Sequence, residues 1–185
     1  MLRAAGLGAV VGLAWGVLAR LFMRLISTSP EFSWPGTMLI LAMSAVFWGG
    51  IGLVTGARQA QRSQWWRLAP LAGLILFASP GAILIPGGVG TAIALALHGR
   101  SMALRALPLV LGIVITLFPA FGVDGEAAGE AAPTEGLGLA LMVVATAWLG
   151  WGFHTWWRRW TPSGQVASTR AGRRAAPGSA AYDMG

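Results

Sequence analysis

The stretch LILAMSAVFWGGIGLV, residues 39–54, is apolar on every face. A strand in the wall of a transmembrane barrel would alternate apolar with polar residues, and this one does not. With its flanks it forms a block from about Gly36 to Gly56. That is close to the roughly 20 residues with which a helix, rising about 1.5 Å per residue, crosses a hydrocarbon core of about 30 Å. Inside lipid a helix satisfies its own backbone donors and acceptors. The block therefore predicts a membrane-spanning α-helix.

Similar blocks recur at 4–26, 102–121 and 136–157, in a chain that is 56% hydrophobic and 10% charged, far from the globular norm. Residues 68–97 are also apolar but carry SPG at 79–81 and PGG at 86–88. As one helix they would be about 45 Å long, too long for one upright span and too short for two. The sequence predicts a short hairpin there, with segments 68–80 and 82–97 broken at Pro80, Gly81, Pro86, Gly87 and Gly88. The expected fold is an all-α polytopic membrane bundle of about six segments within residues 1–160. The alternative is five, with 68–97 as one kinked helix. Residues 161–185 are rich in Ser, Gly, Ala, Pro and Arg, and carry too few large apolar side chains to offset the entropy of ordering. They are expected to be a disordered, arginine-rich tail.

All 13 basic residues are arginine, and lysine, asparagine and cysteine are missing, a bias that reads as a GC-rich bacterial genome. Without cysteine there is no disulfide framework and no thiolate chemistry. The net charge of +7 does not require nucleic acid, because the arginines flank the apolar blocks. Arg58, Arg62 and Arg67, then Arg100 and Arg105, then Arg158, Arg159 and the tail mark cytoplasmic ends by the positive-inside rule. The acidic segment GVDGEAAGEAAPTE, residues 122–135, then faces outward, and both termini lie in the cytoplasm. The first block reads as a span of the cytoplasmic membrane rather than a signal peptide, since the apolar run continues to Ala19 without a small-x-small cleavage site.

Two groups of residues stand out. Arg20 and Arg24 share one helix face near the outer end of the first block, where Glu31 and Trp34 follow. An arginine at mid-bilayer costs about 2.5 to 3.5 kcal/mol, so these guanidiniums must reach headgroups or a partner. They are read as an anion or headgroup site, or as a charge cluster that sets helix depth. Gly8, Gly12 and Gly16, and Gly52 with Gly56, repeat every four residues, a spacing that lets helix backbones touch. The contact expected is between the first two helices, the alternative being self-association or docking of another membrane protein. His98 and His154 have no nearby Asp, Glu or Cys in ligand spacing, so neither a metal nor a cofactor is expected. Every acidic residue lies outside the apolar blocks, which removes the usual proton-relay carboxylates.

Residues 12–37, GLAWGVLARLFMRLISTSPEFSWPGT, carry Trp15, Arg20, Met23, Arg24, Ser27, Pro30, Glu31, Phe32 and Trp34 in a pattern. This pattern resembles the N-terminal signature of a family of small integral membrane proteins from high-GC bacteria. The resemblance implies membrane residence and brings no activity, substrate or cofactor with it. Taken together these features lead to a non-enzymatic structural or accessory membrane component, in contact with the lipid bilayer and with other membrane proteins or a second copy. The alternative is a small transporter or channel for an anionic or lipid-like solute, with Arg20, Arg24 and Glu31 at its mouth.

Overall fold

A computed structural model describes residues 1–26, 33–77, 82–118 and 133–160. Their regular structure is helical: α1 (Leu2–Ile26), α2 (Trp34–Gln59), α3 (Ala69–Phe77), α4 (Ile85–Ala96), α5 (Met102–Leu117) and α6 (Pro133–Trp157). Two short 3₁₀ turns, Gln64–Leu68 and Ala82–Leu84, lead into α3 and α4. Glu31, Pro80, Gly81 and the tail 161–185 lie outside the described residues. The all-helical bundle expected from the apolar blocks is what forms. α1, α2 and residues Gly136–Trp157 of α6 are long and apolar enough to cross a membrane. α3, α4 and α5 are shorter, at nine, twelve and sixteen residues.

Local signals explain the helix ends. Ser33 caps α2 by accepting from the Gly36 amide at 3.3 Å, and Pro35 occupies the first turn, where a missing N–H leaves nothing unpaired. At its other end α2 closes when Gln61 turns to a φ of 53° and the Arg62 amide bonds back to the Ala57 carbonyl at 2.9 Å. Gly99, at φ 93°, makes the tight return from α4 to α5.

Pro86, Gly87 and Gly88 do not form the break that their sequence suggests. They lie in the first turns of α4, where Pro86 is tolerated as an N-terminal residue, and the glycines serve as contact surface. A side chain at Gly88 would meet Leu149 and Phe153 of α6, and one at Gly112 of α5 would meet Pro86, Gly87 and Gly90. α4 thus packs directly between α5 and α6. Its start has no side-chain cap of its own. Instead the Gly87 amide donates to the buried Thr116 hydroxyl of α5 at 2.9 Å.

α1 and α2 are antiparallel and meet backbone to backbone. Gly8 lies against the carbonyl of Trp48, Gly12 against that of Ser44, and Gly52 against that of Ala4. Gly16 meets the side chains of Leu41 and Ser44, and Gly56 faces Met1 and Ala4. A methyl group at Gly12 would sit 2.8 Å from the Ser44 carbonyl carbon. α6 packs against both α1 and α2, and the buried Trp15 indole of α1 donates to its Ala145 carbonyl at 2.8 Å. Phe47 centres an aromatic core, meeting Trp48, Phe153 and Trp156 edge-on with ring centres 5.9 to 6.3 Å apart.

The three short helices gather in one half of the bundle. α3 runs back along α2 from Pro70 beside Gly50 to Gly73 beside Phe47. α4 starts level with Thr146 of α6, and α5 ends near the same level, at Thr116 and Leu117. That half ends at Arg58, Arg67 and Arg158, and is called the arginine end below; the opposite end carries Arg20 and Arg24.

Two substitutions test the helix seam. Gly12→Ala should destabilise the protein by about 1 to 3 kcal/mol, as overpacking does, whereas Gly6→Ala, with open space around it, should be neutral or stabilising. Thermal unfolding in mild detergent measures both, and equal midpoints would contradict the seam. In the same assay Thr116→Val should destabilise by about 1 to 3 kcal/mol by orphaning the Gly87 amide.

Candidate functional site

The end of α6 reads WWRRW, residues 156–160, and the link after α2 contributes Arg58 and Arg67. A helix terminates with unpaired carbonyls that carry partial negative charge, and guanidiniums satisfy both demands at once. Arg58 Nη2 donates to the carbonyls of Thr155 and Trp156, each at 3.2 Å, and Arg67 Nη2 donates to that of Arg158 at 3.2 Å. The Trp156 indole returns a bond to the Arg67 carbonyl at 2.8 Å. Both guanidinium carbons lie 5.6 Å from the centre of the Trp160 ring, so one indole serves two cations. The Nε atoms of Arg58 and Arg67 are buried without a hydrogen-bond partner among the described residues.

Beside this cluster a groove of about 960 Å³ opens between α3, α4 and the end of α6. Leu71 and Leu74 form one wall, Ile85, Val89 and Ile93 the other, and the buried Phe153 and Trp156 the floor. Its rim carries His154, Trp157, Arg158 and Arg159. The volume is near the upper end of the usual range for small-molecule sites, about 300 to 1,000 Å³. An apolar trough with guanidiniums at its mouth matches an amphiphile with an anionic head.

The residues singled out from sequence lie elsewhere. Arg20 is half-buried, and its Nε donates to the Thr37 hydroxyl at 3.0 Å. That hydroxyl in turn donates to the Ser33 carbonyl at 2.9 Å, tying the end of α1 to the cap of α2. Arg24 and Trp34 are exposed. Gly138 of α6 packs on Leu25 and Ile26, next to this pair. The 20 residues from there to Arg158 place the rim of the groove about 30 Å away. Arg20 and Arg24 therefore do not line it. Gly8, Gly12, Gly16, Gly52 and Gly56 all lie in the α1–α2 seam. Among the described residues no three His, Cys, Asp or Glu side chains come together as metal ligands.

Sequence reasoning treats Arg58, Arg67 and the tryptophans as markers of orientation and misses their mutual contacts. The available signal is the interleaving of Trp and Arg in both segments, QWWR at 64–67 and WWRRW at 156–160. Trp160→Ala should lower stability by about 1 to 2 kcal/mol through loss of two cation–π contacts. Arg58→Lys should lose part of the carbonyl capping, because a point-like ammonium cannot fork to two acceptors and stack as well. Thermal unfolding reads both effects, and an unchanged midpoint in Trp160→Ala would contradict the clamp. Comparison of the chain with protein-family models, curated proteins and solved structures finds no match.

Proposed function

We propose that this protein is a non-enzymatic, multi-pass component of a bacterial cytoplasmic membrane, structural or accessory in role. In this reading α1, α2 and α6 cross the bilayer, the apolar block 102–121 that contains α5 makes a fourth crossing, and α3 with α4 dips in from the arginine end and returns to it. The observation that carries it is the segregation of charge. Among the described residues, Arg3, Arg58, Arg62, Arg67, Arg100, Arg105, Arg158 and Arg159 fall at one end of the bundle, against Arg20 and Arg24 at the other. The positive-inside rule assigns that end, and both termini, to the cytoplasm. Support also comes from the lateral surface: Leu7, Val10, Leu13, Val17 and Leu21 form an exposed stripe along α1, a surface solvated by acyl chains and a liability in water. The accessory role is supported by how the polar side chains are used. The hydroxyls of Ser44, Thr146 and Thr155 each donate to the carbonyl four residues earlier, and the Trp15 indole joins α1 to α6, so these groups serve packing.

The native sequence has no cysteine, so each introduced thiol is the sole target of a maleimide. Gln61→Cys and Ser101→Cys should both be shielded from a membrane-impermeant maleimide in intact cells and react after permeabilisation. Ser33→Cys should react in intact cells. Labelling of Gln61→Cys and Ser101→Cys from opposite sides would replace this layout with a single crossing by residues 68–97.

The groove supports a second reading, a carrier for an anionic or lipid-like solute. Under it Arg158→Ala with Arg159→Ala should abolish flux in reconstituted vesicles while Arg20→Ala leaves it intact. Equal flux in wild type and the double variant would remove this reading.

A further inference from the structure

We infer that the groove between α3, α4 and the end of α6 is a seat for one anionic glycerophospholipid drawn from the leaflet at the arginine end. This rests on the membrane reading above and adds a ligand class to it. Three observations lead there. The first is dimension. Along α4 the lining runs from Ala96 at the rim to Ile85 at the bottom. That is about 16 Å of helix, close to half of a hydrocarbon core of about 30 Å, so the trough has the depth of one leaflet.

The second is access. Val89 and Ile93 on the α4 wall are 43% and 45% exposed, and Leu71 on the α3 wall is 36% exposed. The trough is thus open along its side as well as at its rim, and a lipid enters laterally without leaving the bilayer. The half-length of α3 and α4 creates this opening, since each stops near the middle of its longer neighbour.

The third is charge. Arg158 and Arg159 stand exposed at the rim, beside His154 and the interfacial indole of Trp157. No carboxylate is among the lining residues. Behind the rim, Arg58 and Arg67 add two more guanidiniums, which leave one buried donor each without a partner among the described residues. Basic pockets between helices at the cytoplasmic face are suited to acidic headgroups. A zwitterionic headgroup gains less there, because its own cation meets the same field. The chain's residues 161–185 match the trough poorly as an occupant. They bring three further arginines and, as large apolar side chains, only Val166, Tyr182 and Met184.

The test uses the full chain in nanodiscs of equimolar phosphatidylglycerol and phosphatidylcholine, with the lipids retained after transfer to mild detergent counted by native mass spectrometry. The wild type should retain phosphatidylglycerol preferentially. Arg158→Ala should weaken retention about fivefold and the double variant with Arg159→Ala about 25-fold, while the double lysine variant keeps most of it. Val89→Trp and Ile93→Trp change exposed positions, so the fold persists, but the indoles fill the trough and should abolish retention without lowering the thermal midpoint. Undiminished retention in these two variants would overturn the seat, leaving surface adhesion by arginines as the explanation. Equal retention of the two lipids by the wild type would also overturn it. A chain that fails to enter the bilayer removes the membrane reading and the seat together, whereas one that enters without lipid preference removes the seat alone.

Discussion

Close contact between helix backbones is the constraint on which this structure depends. Among apolar helices in lipid, burial of oily side chains gives little reason to associate, because acyl chains solvate leucine as well as another leucine does. What remains is dispersion at short range, and that needs side chains to be absent at the contact. Gly8, Gly12 and Gly52 supply this between α1 and α2, and Gly87, Gly90 and Gly112 supply it between α4 and α5. The large residues then fill the spaces this leaves: Trp15 and Trp48 are almost wholly buried beside the first seam, and Leu149 is buried against Gly88 of α4. Each seam therefore fixes the register of the aromatic core beside it.

The arginines show how position decides the role of a charge. Arg20 sits where two helices join and holds the cap of α2 through Thr37. Arg58 and Arg67 meet the end of α6, where exposed carbonyls and an indole face accept positive charge. Arg158 and Arg159 stand exposed at the rim of the groove. One residue type thus joins, terminates and presents, according to which backbone groups lie within its reach.

Much of the helical layout was legible because each block of apolar residues is a local signal of about the length of a membrane. The spacing of Gly8, Gly12 and Gly16 marks a contact face, but nothing local says that its partner carbonyls belong to Ser44 and Trp48. Pro86, Gly87 and Gly88 mislead for a physical reason. Proline and glycine are turn formers, yet a proline costs nothing in a first helical turn, and glycine is what a neighbouring helix needs there. The arginine clamp is hidden because it joins Arg58 and Arg67 to residues some 90 positions later. The groove is hidden as well, being space left between three helices rather than a property of any one of them.

The unequal lengths of the helices have a geometric result. Among the described residues, a slice near Trp156 cuts six helices and a slice near Arg20 cuts three. Described helix therefore occupies more lateral area at the arginine end than at the end of Arg20 and Arg24.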